Sequence, residues 1–278
     1  MSNETGTLFD VDADGIATLT LNEPARLNPI TTAIQQDLWD ALQRVRDDTR
    51  IRAPILTARG KAFSVGADLD QVADWASGAA AQGKPSLGKQ VGDMMEKAAN
   101  PIIQGLHDLP VPVVCAINGP AVGGGFGLAL AGDIVMAARS AYFYLPFVPA
   151  LGAVPDMGAS WRLPRHVGHA RVLGLTLLGE RLSAEKAAQW GLIWACVADG
   201  QLAAEALSVA KRLAALPAHS ALETRALYRA AEANTLAGQL AYEASRQREL
   251  LSGVCFAEGL AAFQAKRPAV FPARSEKC

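Results

Sequence analysis

The chain has 278 residues, with 26 Lys+Arg against 27 Asp+Glu for a formal charge of -1; 50% of its residues are hydrophobic and 19% charged. A protein that grips nucleic acid through its phosphates carries a basic excess or a basic stripe, and neither is present. The apolar content supports a large core and excludes a disordered chain.

The opening MSNETGTLFD lacks a basic patch followed by an apolar run, so no signal peptide is expected. Residues Thr7 to Val11 and Gly15 to Leu21 are β-favouring runs separated by the turn signal Asp14-Gly15, and predict a hairpin. A helix follows, capped by Thr31 or Thr32, with Ile34, Leu38, Leu42 and Val45 at helical spacing down to Asp47-Asp48. Pro54 to Thr57 reads as a short buried strand ending in the loop Gly60 to Gly66. Residues 76–89 (ASGAAAQGKPSLGK) read as a mobile loop.

The same pattern then repeats: strand Val113 to Ile117, loop Asn118 to Gly123, helix start Gly124 to Ala131. Strand, glycine loop and helix start, twice over, predict a βα core of parallel strands with both loops at the strands' carboxyl ends, where such sheets bind ligands. The stretch from about 113 to 131 is the most apolar, but its glycines and Pro120 make it a poor membrane span. Ile134 to Ala138 and Ala141 to Tyr144 are further strands, and after Pro155 the β signal ends. From Arg171 to Lys266 the chain is mostly helix-forming, broken at Gly179, Gly191, Asp199-Gly200, Pro217 and Gly253. The expected division is a core over residues 1–200 and a helical C-terminal region over 201–278. Cys115, Cys196, Cys255 and Cys278 are widely spaced and form no CxxC, so neither a zinc site nor a disulfide framework is expected, and a reducing cytoplasm fits best.

Two nucleotide motifs can be tested on the glycine loops. The run Gly123-Gly124-Gly125-Phe126-Gly127-Leu128 fails G-x-G-x-x-G at Leu128, and Gly60-Lys61 lacks both the upstream glycine and the hydroxyl residue of a P-loop. The loops themselves, Gly60-Lys61-Ala62-Phe63-Ser64-Val65-Gly66-Ala67-Asp68-Leu69 and Ile117-Asn118-Gly119-Pro120-Ala121-Val122-Gly123-Gly124-Gly125, resemble those of the crotonase (enoyl-CoA hydratase/isomerase) superfamily. So do Asp156 to Arg165, Leu178 to Ala187, Gln189 to Ile193 and Phe263 to Pro268, in the right order.

The resemblance implies an α/β fold, a crotonase-like spiral of ββα units with a helical C-terminal trimerisation region, and assembly into a homotrimer or hexamer. It implies an acyl-CoA thioester as substrate and no separate cofactor, metal, nucleic-acid or membrane partner. By resemblance, the amides of Ala67 and Gly124 form an oxyanion hole, the second at a helix start where free N–H groups add positive potential. Leu27, Val65, Gly66, Asp68, Leu69, Gly123 and Phe147 are implied near the thioester and CoA. Arg26 and Lys266 read equally as phosphate contacts or as solvated surface charges.

The reaction depends on side chains around the hole. Hydratases of the family use two glutamates; here Gly127 stands at the first position and Phe147-Val148 at the second. Asp156 falls where the isomerase branch, including the phenylacetate-pathway epoxide isomerases, carries its acid, and a single acid suits proton transfer between two carbons of an enolisable thioester. Three alternatives stay open: a hydratase or hydrolase using another acid such as Asp68; a dehalogenase with Asp156 as nucleophile; and a non-catalytic acyl-CoA binder. Asp156 could also simply cap the following helix. One extra residue near Val148-Pro149-Ala150, relative to the family pattern, would be expected to shift Asp156 or reshape the acyl pocket.

Overall fold

The computed structural model describes residues 5–79, 85–276 and 278. Strands β1 (Thr7–Val11) and β2 (Ile16–Leu21) form the expected antiparallel hairpin. Its turn is closed by Asp12, whose carboxylate accepts from the N–H groups of Asp14 and Ile16. After β3 (Pro29–Ile30) comes α1 (Thr32–Asp47), capped by the Thr31 hydroxyl, which accepts from Ile34 N–H at 3.1 Å. Ile34, Leu38, Leu42 and Val45 recur every three to four residues and are all buried, so one face of α1 is sealed into the core.

The chain continues through β4 (Ala53–Ala58), β5 (Gly66–Ala67), α2 (Leu69–Ala79), α3 (Leu87–Met94), a π-helical turn at Met95–Ala99, and α4 (Asn100–His107). The expectation of a loop over residues 76–89 is corrected: α2 runs to Ala79 and α3 starts at Leu87, with the Ser86 hydroxyl accepting from Lys89 N–H. Residues 80–84 lie outside the described residues. Next come β6 (Val114–Ile117), β7 (Ala121–Val122), α5 (Gly124–Ala129), β8 (Ile134–Ala138), β9 (Tyr142–Tyr144) and α6 (Ala159–Leu178), which changes direction at Gly168.

The expectation that strands end at Pro155 is also corrected. Beyond α6 lie β10 (Leu182–Ser183), α7 (Ala184–Gln189) and β11 (Ala195–Val197), and β11 pairs in parallel with β8 at the edge of the main sheet. Three residues carry no readable alternation, so β11 is a strand only by virtue of its partner. The remainder is helical: α8 (Leu202–Ala214), α9 (Ser220–Ala233), α10 (Leu236–Leu250) and α11 (Val254–Gln264).

The main sheet has the order β1-β2-β4-β6-β8-β11, parallel except for the first hairpin. Each of β2, β4, β6 and β8 is followed by a short strand in a second layer: β3 pairs with β5, and β7 with β9, which also pairs with β10. A Ser64–Ala121 bridge joins the two short sheets. This repeated long-strand, short-strand, helix unit is the ββα spiral that the resemblance implies. The main core lies between these layers and α1, whereas Leu202, Ala206 and Ala210 of α8 bury the opposite face of the main sheet against Ile16, Ile55, Val114 and Met136.

A third correction concerns the cysteines. Cys255 at the start of α11 and Cys278 form a disulfide across 23 residues, because the segment after α11 folds back. The guanidinium of Arg274 secures that return by donating to the carbonyls of Val45, in the last turn of α1, and Ile51, just before β4. Among the described residues, no helix is long and apolar enough to cross a membrane.

Candidate active site

The two glycine loops meet backbone to backbone. Phe63 and Ser64 N–H both donate to Pro120 C=O at 3.0 and 3.1 Å, and Val122 N–H donates to Ser64 C=O at 2.9 Å. A Cβ on Gly66 would lie 2.7 Å from Val122 O and 3.0 Å from Gly124 N, and Gly66 has φ +84°. Glycine is therefore required there on two counts, by space and by backbone conformation. A Cβ on Gly125 would fall 2.5 Å from Ser64 O, so the first turn of α5 can sit on the first loop only without a side chain. These contacts set Gly66–Ala67 against the start of α5. Gly124 is the first residue of that helix, so its N–H has no intrahelical acceptor.

The first loop is held from behind by Asn28, which is fully buried. Its Oδ1 accepts from Glu23 N–H at 2.8 Å, and its Nδ2 donates to the carbonyls of Arg59 and Ala62, each at 2.9 Å. Leu27 and Asn28 both adopt left-handed backbone, and Leu27 C=O accepts from Val65 N–H at 3.2 Å. The sequence places Asn28 in the segment 25–28 expected near CoA, but not as a brace of the loop: the two carbonyls that it donates to are more than 30 residues away, and no local signal announces them.

Asp156 arrives from the other side. Its Oδ1 would be 3.3 Å from a Cβ on Gly124 and is buried with no hydrogen-bond partner among the described residues. Burial pushes its carboxyl up from an ordinary 3.8 to about 6, because desolvation disfavours the charged form. The reading of Asp156 as a helix cap does not hold: Gly158 is the N-cap of α6, with no side-chain cap. Met157 has φ 50°, a left-handed conformation that costs a non-glycine residue about 1–2 kcal/mol. It turns the chain between the Asp156 side chain and the start of α6.

Segment 156–157 also explains Gly127. A Cβ at Gly127 would lie 2.6 Å from both Met157 Cβ and Met157 O, and 2.9 Å from Asp156 O. The backbone that delivers Asp156 thus fills the space where a hydratase glutamate would begin. Around Pro149 the chain forms a π-helical turn at Phe147–Leu151, in which Gly152 N–H reaches back to Phe147 C=O. Pro149 packs on Gly179, whose absent Cβ would be 2.5 Å from the proline ring. Beyond this turn, the Asp156 carboxylate faces Gly124.

Of the residues implied near CoA, Phe147 packs beside Gly123, 3.7 Å from where its Cβ would be, while Ala67 and Leu69 are exposed and Val65 is half-buried. Arg26 donates to Asp68 at 2.8 Å and also pairs with Glu23 and Asp70, so it ties the Pro24–Arg26 turn to the start of α2. Asp68 is thereby occupied, accepting in addition from Gln71 N–H. Lys266 stands apart: it follows α11 with left-handed backbone, is exposed, and among the described residues forms no ion pair or hydrogen bond with either loop.

Residues 12–274 match the family model described as "Enoyl-CoA hydratase/isomerase". The chain is 43% identical over 257 residues to 1,2-epoxyphenylacetyl-CoA isomerase of Escherichia coli, covering 92% of this chain and 95% of the relative. It is 38% identical over 262 residues to a "Probable enoyl-CoA hydratase" of Rhodobacter capsulatus, covering 94% and 96% respectively. The crystal structure of an enoyl-CoA hydratase from Polaromonas superposes with a TM-score of 0.85 at 29% identity, covering 96% of this chain and 99% of that one.

Proposed function

Because the chain belongs to the enoyl-CoA hydratase/isomerase family, we propose that it is a CoA-thioester isomerase that works through one carboxylate, Asp156, beside an oxyanion hole formed by the N–H groups of Ala67 and Gly124. The observation that carries this reading is the half-buried Asp156 carboxylate against Gly124, whose Oδ1 is buried and without a hydrogen-bond partner among the described residues, with its proton affinity raised towards neutrality. A base poised near the working pH transfers protons efficiently in both directions.

With a 3-enoyl-CoA, the Asp156 carboxylate removes a proton from C2, and the electron pair moves onto the thioester oxygen to give a dienolate. The two N–H groups stabilise that oxyanion, an interaction worth roughly 3–4 kcal/mol per donor in comparable sites. The protonated Asp156 then delivers its proton to C4, the double bond forms between C2 and C3, and the carboxylate is restored. No water is consumed. The same hole would hold an aromatic epoxide thioester of the kind named for the Escherichia coli relative.

Hydration is disfavoured because Gly127 leaves no room for a second acid and Asp68 is engaged with Arg26. Turnover of 3-enoyl and aromatic CoA thioesters in 18O-labelled water separates the readings: isomerisation gives product without label, whereas a labelled hydroxyacyl-CoA or free acid would refute it.

The protomer is further proposed to assemble as a homotrimer or hexamer. Leu236, Leu240, Val254 and Phe263 on α10 and α11 are exposed, more apolar surface than a solvated helical end carries. Light scattering of the purified chain tests this; a monomeric mass contradicts it.

A further inference from the structure

The disulfide end of the molecule holds a third potential ligand that neither the fold nor the proposed reaction requires. The imidazole of His219, in the connection between α8 and α9, lies with Cys255 Sγ and Cys278 Sγ so that all three ligand atoms are within 4.8 Å of one another. We propose that, when the cysteine pair is reduced, these three residues bind a soft divalent cation of the zinc class. Two thiolates and one imidazole are a donor set that such a cation prefers, with water completing a tetrahedron.

The three segments that supply the ligands are positioned without help from the sulfurs. Arg52 donates to Leu216 C=O at 2.8 Å and to Pro272 C=O at 3.2 Å, which holds the turn leading to His219 beside the returning tail. Arg274 ties the same tail to the end of α1. Gly253, just before α11, lies against the carbonyl of Cys278; a Cβ there would be only 2.6 Å from that oxygen. Breaking the S–S bond therefore leaves His219, Cys255 and Cys278 as neighbours. In a tetrahedral site with Zn–S bonds of about 2.3 Å, two thiolate sulfurs stand roughly 3.8 Å apart. The pair has to open slightly, and the site does not have to be rebuilt. Cys255 is buried whereas Cys278 is half-buried, so the tail sulfur is the one free to move.

The chemistry balances with a dithiol reductant. Two electrons and two protons convert the disulfide to two thiols while the reductant becomes a disulfide. Cation binding then displaces both thiol protons. With Cys255 and Cys278 joined, neither sulfur can become a thiolate ligand, so the disulfide and the metal-bound dithiolate exclude one another.

The test uses the full chain, reduced with a dithiol, freed of reductant under anaerobic conditions, and titrated with cobalt(II) as a spectroscopic probe and then zinc(II). The expected result is one equivalent of cobalt with thiolate charge-transfer and tetrahedral ligand-field absorption, displaced by zinc. Both signals should be lost in the oxidised chain and in reduced Cys278→Ser, and reduced in His219→Ala, with circular dichroism confirming that each variant is folded. Cys278→Ser alters only the half-buried tail, and His219→Ala leaves both sulfurs in place, so one reports if the other fails to fold. No stoichiometric uptake by the reduced wild type, or uptake unchanged in either folded variant, overturns the proposal.

Discussion

Replacing Asp156 by Asn removes the charge and keeps the shape, and its effect on stability is predicted to depend on pH in a particular way. The carboxyl titrates near 3.8 in an open chain and near 6 when folded. An acid whose folded pKa is raised destabilises the fold when ionised. The penalty is absent below about pH 4, grows between pH 4 and 6, and is constant above. At ~1.4 kcal/mol for each tenfold change in proton affinity, its full size is about 3 kcal/mol. The Asn amide is also buried without a partner, which costs about 1–3 kcal/mol at every pH. The variant should therefore match or slightly exceed the wild type at pH 8, yet be the less stable protein at pH 4. The difference between the two pH values isolates the ionisation and should be about 3 kcal/mol. Urea unfolding of both proteins at pH 4, 6 and 8 measures it. A stability difference that does not vary with pH would refute the claim that Asp156 is a desolvated carboxylate.

Three further outcomes follow from the same geometry. The wild-type kcat/KM should fall about tenfold for each pH step below a break near 6, since only ionised Asp156 can accept the proton; a profile flat from pH 5 to 8 would place the base elsewhere. Gly127→Ala should lower stability by about 1–3 kcal/mol, because the new Cβ meets Met157 at 2.6 Å, and Gly127→Glu should yield no hydroxyacyl-CoA product by chromatography; a stable, hydrating variant contradicts the packing described. Asn28→Ala should cost on the order of 3 kcal/mol by leaving Glu23 N–H and the Arg59 and Ala62 carbonyls unpaired, a loss read from the denaturant midpoint.

What the sequence discloses about this fold follows the range of the forces involved. Helix α1 is legible because Ile34, Leu38, Leu42 and Val45 recur at helical spacing beside a capping threonine, both local facts. The glycine loops are legible because close backbone approach leaves no other residue type possible at Gly66 or Gly125. Strand β11 is not, since three residues become a strand only when β8 offers an edge. Residues 76–89 mislead by composition: Gly and Ser suggest a loop, yet α2 continues through Ser77 and Gly78, and Ser86 caps α3. The Cys255–Cys278 bond depends on Arg274 folding the tail back onto α1, a contact spanning more than 220 residues.

The site divides in the same way. Asp156, Gly124 and Gly66 are found together, and Asp156 is legible through its place in a motif. Its buried, unpartnered Oδ1 lies beside the left-handed turn at Met157, which no local pattern predicts. Arg26 and Asp68 are individually visible in the sequence but not as partners, since their pairing spans 42 residues.

The central claim is that one carboxylate carries the proton from carbon to carbon. The most direct measurement is turnover of a 3-enoyl-CoA by Asp156→Ala, followed by the absorbance of the conjugated 2-enoyl thioester, with circular dichroism confirming the fold. A loss of roughly 10²–10⁴-fold, the usual contribution of a positioned general base, is predicted. Undiminished turnover by the folded variant would contradict the account.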